Sequence, residues 1–205
     1  TVTYKFGTAT GTVISNTTST SLQWDTSAVK ASLLSQIPSS KSGTCTLTCT
    51  TKYNGSNVGS DSCSITLSTA ESVSITSLSV KPYNTNAFLS SKGLYVAGYT
   101  KAEVTVSAKA GAGSSISSYS ITGLGGTGTV ANWDSPLLTK GDKKVSVTVT
   151  DARKTSASAS TTITVLDYSS PTVTLTVERG TASGTDGADF KPDDKGKNLR
   201  IKAAV

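Results

Sequence analysis

The chain has 205 residues with 19 basic and 13 acidic side chains, a formal net charge of +6, and neither His nor Met. Without His the usual general acid–base residue near neutral pH is missing, and no apolar run is long enough to span a bilayer, so no membrane insertion is expected. The basic residues near the C-terminus alternate with Asp in "DFKPDDKGKNLRIK" and have no aromatics between them, which argues against a nucleic-acid-binding stripe.

Ser, Thr and Val dominate, a composition suited to antiparallel sheets with one wet face. Disorder is excluded because the apolar residues fall at alternate positions over many short runs. In chain order, "TSAVKASLLSQIP" is the one stretch with helical character, ending at Pro38 and capped by Asp25, Thr26 or Ser27. "CTLTCTTKY" and "CSITL" follow as a hairpin whose odd positions are Cys45, Leu47, Cys49, Cys63, Ile65 and Leu67. Residues two apart share a strand face, so all three thiols are expected on the apolar side. Cys49 and Cys63 either pair across the hairpin or stay reduced, and the reduced state suits a protein assembled inside a cell. A metal site there is not expected, since neither His nor a C-x-x-C pair is present.

Strands are next expected in "SVSITSLSV" (72–80) and "EVTVSA" (103–108), then a loop "GLGGTG", and a long hairpin "KKVSVTVTDARKTSASASTTITV". "PTVTLTV" (171–177) and "NLRIKA" (198–203) restart the pattern, with Val104 and Val106 matched by Leu199 and Ile201. The two hairpins superpose at an offset of 98 residues, Pro38 on Pro136. Gly43 then falls on Gly141, Leu47 on Val145, Cys49 on Val147, Ile65 on Ile163 and Leu67 on Val165. A period near one hundred residues with about seven short strands is the size of an immunoglobulin-like sandwich. The fold class expected is therefore all-β, with tandem Ig-like β-sandwich modules. Residues 1–71 form an N-terminally short module, 72–168 a complete one, and 169–205 the start of a third. The third stretch is too short to enclose a sandwich core alone, so it is expected to pack on a neighbour or continue beyond residue 205.

These residues resemble a family. The matching features are Tyr95-Val-x-Gly98, Gly111-Ala-Gly-x-x-Ile-x-x-Tyr119, the Val147-x-Val-Thr-Asp-x-Arg153 hairpin, and Tyr168-x-x-Pro171. Together with Trp24, Ile37-Pro38 and "TTKYNGSNVGS" they resemble the Ig-like repeat modules of structural proteins in siphophage and prophage tails of Gram-positive hosts. Lys154 departs from the pattern, which would have Gly there. The resemblance implies a non-catalytic tail, baseplate or fibre component, a spacer or scaffold in host attachment, located in the virion and assembled in the host cytoplasm. Expected partners are other copies of itself, as a trimer or ring, and other tail proteins. Host cell-surface polysaccharide is a further candidate partner.

Motifs with catalytic connotations read more simply as structure. Asp25 follows Trp24 and Asp134 follows Trp133, but core Trp residues with Asp caps account for both. Gly123, Gly125 and Gly128 spell G-x-G-x-x-G without the following helix a nucleotide site needs. Asp186, Asp189, Asp193 and Asp194 lack EF-hand spacing, and the Asp-Gly there signals a turn. No enzyme, cofactor or metal is expected. Two other functions compete with the structural one. A cell-wall carbohydrate-binding module would use Trp24, Trp133, Tyr53 and Tyr99 as candidate glycan contacts, with Tyr83 beside them. A bacterial surface adhesin built from similar repeats would be distinguished by its flanking sequence.

Overall fold

The structure, a computed structural model, describes residues 1–83, 87–183 and 188–204. It is all-β, made of several small antiparallel sheets, and divides into two compact units, Thr1–Asp167 and Tyr168–Val205.

The first unit opens with β1 (Val2–Phe6) and β2 (Ala9–Ile14). A single 3-10 turn at Ser27–Val29 leads into the helix α1 (Lys30–Ser35). The Asp25 carboxylate accepts from the Ser27 N–H at 2.9 Å, so the cap foreseen for this helix lies one turn upstream. β3 (Ser42–Tyr53) and β4 (Ser56–Ser68) follow, joined by Asn54 and Gly55, both with positive φ as a tight hairpin turn requires. The sheet order is β2-β1-β3-β4. Tyr4, Phe6, Ala9 and Cys45 on its apolar face pack against Leu33, Leu34 and Ile37. Among the described residues of 1–71, α1 and Trp24 cover this face where a second sheet was expected. Gly43 and Gly11 have small-residue jobs here. A Cβ on Gly43 would meet the Phe6 ring at 2.8 Å, and one on Gly11 the Tyr4 ring at 2.7 Å.

This cover is short, and it corrects the cysteine expectation. Cys45 is buried at the base of the hairpin, but Cys49 and Cys63 are exposed free thiols. The hairpin is longer than the helix beneath it, so the alternation continues into solvent. In the ladder Cys49 faces Asp61 and Cys63 faces Leu47, so the two thiols are diagonal neighbours and do not pair.

The remainder of this unit is a two-sheet arrangement. One sheet has the order β5-β6-β8, from β5 (Ser74–Tyr83), β6 (Lys101–Lys109) and β8 (Asn132–Asp134). The other is β10-β9-β7, from β7 (Ile116–Thr122), β9 (Gly141–Asp151) and β10 (Ser156–Val165). Val104 and Val106 of the first meet Ile121, Val145, Val147, Val149, Ile163 and Val165 of the second in one buried cluster. This core is distinct from the one under α1. Each such side chain contributes about 1.5–3 kcal/mol of burial, before the entropy of ordering it. The outer face of β9 and β10 is hydroxylated, with Thr148 bonded to Ser158 and Thr150 to Ser156. A short helix α2 (Ala87–Ser91), which no sequence signal announced, lies between β5 and β6.

The repeat is visible in the ladders themselves. Gly43 pairs with Leu67 and Gly141 with Val165, the same register displaced by 98 residues at both ends. Leu47 and Ile65 are half-buried against the first core, while Val147 and Ile163 are buried in the second.

The second unit is a sheet ordered β12-β11-β13, from β11 (Thr174–Thr181), β12 (Lys191–Pro192) and β13 (Asn198–Ala204). One face is knitted by Arg200, which donates to Glu178 at 3.0 Å and lies 4.3 Å from the Phe190 ring centre. On the other face Leu175, Val177, Leu199 and Ile201 are all at least 60% exposed. In β5 and β6 the corresponding apolar positions are covered by a second sheet.

Candidate functional site

The best-built polar site in the molecule lies where residues 1–71 meet residues 72–167, and it is centred on Arg153. The turn between β9 and β10 runs Asp151-Ala152-Arg153-Lys154-Thr155. Thr155 N–H donates to the Asp151 carboxylate at 2.9 Å, and Lys154 N–H donates to the Asp151 carbonyl at 3.0 Å. Lys154 sits at φ 64, the left-handed conformation that Gly would adopt without strain. The turn thereby aims Arg153 away from its own sheet.

Arg153 is only 3% exposed. Its guanidinium donates to four backbone carbonyls: Ile37 at 2.9 Å, Ser40 at 3.2 Å, Leu34 at 3.0 Å and Ala112 at 2.7 Å. Three of these carbonyls belong to α1 and the turn after it, and the fourth to the loop before β7. One planar fork of donors therefore closes the end of α1 onto the neighbouring sandwich, an arrangement a Lys ammonium cannot copy. The Leu34 and Ile37 carbonyls also accept backbone N–H groups, so loss of the guanidinium costs most through its own buried packing and charge-assisted bonds.

The Gly111-Ala112-Gly113 loop is the other half of the joint. Gly113 has φ 75, and a Cβ there would come within 2.6 Å of the Leu34 carbonyl. A Cβ on Gly111 would meet the Glu71 backbone at 3.0 Å. Ser114 Oγ donates to the Pro38 carbonyl at 2.8 Å, and Val73 N–H donates to the Thr155 hydroxyl at 3.0 Å. Lys30 and Glu71 form an ion pair at 2.6 Å on the rim. The Glu71 carboxyl is held below its ordinary range, first by the Lys30 hydrogen bond, then by the Ala112 N–H, with the charges of Lys30 and Arg153 adding to it. Burial pushes the Asp151 carboxyl up. The Thr155 N–H and hydroxyl, the Arg153 N–H and the Arg153 charge outweigh that and leave it low. The arrangement holds backbone.

The sequence named these motif residues but gave them no role. Their contacts bridge up to 119 positions along the chain, and no local pattern reports that. The aromatic candidates are dispersed. Trp24 lies on Tyr4 with ring centres 4.9 Å apart, and Trp133 packs over Gly126 and Gly128 against the second core. Tyr53, at the hairpin turn, is 72% exposed, and Tyr99 and Tyr83 are each 50% exposed on separate segments. Gly123 and Gly128 are explained by packing: added Cβ atoms would meet the Lys144 carbonyl at 1.9 Å and the Trp133 ring at 2.5 Å. Of the aspartate group, Asp186 lies outside the described residues. Asp189 accepts from Ser183 and Asp193 from Lys195 N–H. Among the described residues no group of His, Cys, Asp and Glu is placed to hold a metal ion.

Comparison with known proteins adds one decisive observation. Residues 1–186 match the family described as siphovirus protein of unknown function (DUF859), which spans the whole of the Arg153 joint. The chain belongs to this siphovirus family. No curated protein and no solved structure matches it. For this siphovirus protein the joint and the hairpin repeat are thus properties of the matched region, whereas β12 and β13 lie past it.

Proposed function

We propose that this siphovirus protein is a non-catalytic structural component of the phage tail, baseplate or fibre, acting as a spacer or scaffold in host attachment. The observation that carries this reading is the Arg153 joint. A spacer must resist bending between its modules, and a guanidinium buried on four carbonyls across a module boundary does that work. In this reading residues 72–168 are an Ig-like sandwich, and 1–71 and 169–205 are its neighbours in a series, in a phage of a Gram-positive host. The protein is assembled in the host cytoplasm and resides in the virion, beside other copies of itself and other tail proteins. The half-buried, core-packed rings of Trp24 and Trp133 speak against those two as glycan contacts, because stacking on sugars needs exposed faces; Tyr53 and Tyr99 are exposed but lie on separate segments. Immunogold labelling of purified phage particles with antibodies to this chain tests the proposal. Label on the tail or its tip supports it; label confined to the lysate and absent from particles overturns it.

A further inference from the structure

We propose that two copies of this chain join edge to edge along β4, as a two-fold antiparallel strand pair centred on Cys63. The inference rests on the reading that copies assemble with one another, and it gives that contact a place. β4 is the outermost strand of its sheet and is 13 residues long. Thr69 N–H donates to the Lys41 carbonyl at 2.9 Å, while Thr50 N–H serves β1 through the Thr1 carbonyl at 2.8 Å. The odd-numbered residues of β3 and β4 therefore bond each other. By the alternation of antiparallel ladders, Ser60, Ser62, Ser64 and Thr66 turn their N–H and C=O groups outward; the Ser62 N–H donates to the Asp61 carboxylate at 2.8 Å and exchanges that bond for the second strand. Such a row is a template for another strand unless something guards it.

Lys, Arg and Pro, which commonly guard an edge, are missing from this strand, Ser56–Ser68, and Asp61 is its only charge. By contrast β5 carries Lys81 and Pro82, β13 carries Arg200 and Lys202, and β10 runs beside β5 of the facing sheet. β2 is a short edge of six residues.

The strand is also self-complementary. The ladder is irregular next to Thr51, so the run that can pair straight begins at Gly59. A centre at Asp61 would set two carboxylates opposite each other, which is unfavourable. A centre at Cys63 sets Ser62 against Ser64 of the second copy, Gly59 against Leu67, and Cys63 against its own equivalent. Being odd-numbered, Cys63 would form a pair without ladder hydrogen bonds, with Cα atoms about 4.5 Å apart, a separation a disulfide can span. Cys63 is exposed and free, as this contact needs.

Sedimentation velocity on the 205-residue chain carrying Cys49→Ser, with and without diamide, tests this. Diamide takes up the two electrons and two protons released when a thiol pair couples. The expected result is a reversible dimer that diamide converts to a Cys63–Cys63 cross-link, read by mass spectrometry. Ser64→Pro removes an outward N–H, and Ser62→Glu with Ser64→Glu sets like charges across the contact without altering the backbone. Both are expected to abolish the dimer, and the Glu variant to keep a single cooperative thermal transition, since within the chain it removes only the exposed Ser62–Thr48 hydroxyl bond at 2.8 Å. A chain that stays monomeric at every concentration overturns the proposal, as does a dimer that survives both variants. A dimer whose Cys63 thiols do not couple overturns the register. None of these outcomes depends on the particle labelling above, so the two readings fail separately.

Discussion

Arg153 and Lys154 are adjacent and opposite in character. Arg153 is buried with all three of its side-chain nitrogens donating, whereas Lys154 is exposed and held at φ 64. A left-handed backbone costs an L-residue about 1–2 kcal/mol, and Gly escapes that cost while losing more entropy on folding. Lys154→Gly is therefore expected to raise the unfolding free energy by up to about 1 kcal/mol in urea titration; a loss of stability would show that the Lys side chain is itself an anchor. The sequence marked Lys154 as out of pattern, and that mark was meaningful because φ is a local property. It gave no sign that Arg153 is buried. An Arg in a hairpin turn usually faces water, and only the long-range approach of α1 makes this one a bracket. Cys49 and Cys63 failed for a related reason: strand parity tells which face a residue takes, not whether anything covers that face.

At the scale of elements, the hairpins β3–β4 and β9–β10 were legible because alternation, turn residues and a fixed offset all agree. Their covers were not. One hairpin lies under a six-residue helix and the other under a second sheet, although both show the same apolar parity. The joint between them carries a pH dependence of definite sign. Asp151 and Glu71 both have folded pKa values below their ordinary ones, so each adds stability above its unfolded value, near about pH 4. That contribution disappears as pH falls through the folded values. The protection factors for hydrogen exchange at Ala112, Gly113 and Ser114, taken against the intrinsic rate at each pH, are expected to be high at neutral pH and to fall below about pH 4. Asp151→Asn with Glu71→Gln should flatten that dependence. Unchanged protection through the acid range would mean that the carboxylates do not hold the loop.

At the scale of the molecule, the chain is a siphovirus protein with two cores in one compact unit and a separate small sheet after it. The proposed spacer role requires that the two cores move together. The most direct test is the distance between spin labels at Thr10→Cys in β2 and Ser118→Cys in β7, with Cys49 and Cys63 replaced by Ser, measured by pulsed electron resonance. Stiffness predicts one narrow distance distribution for the parent chain and a broad one once Arg153→Met removes the guanidinium. A distribution equally narrow in both, or broad in both, would contradict the claim that Arg153 locks the modules.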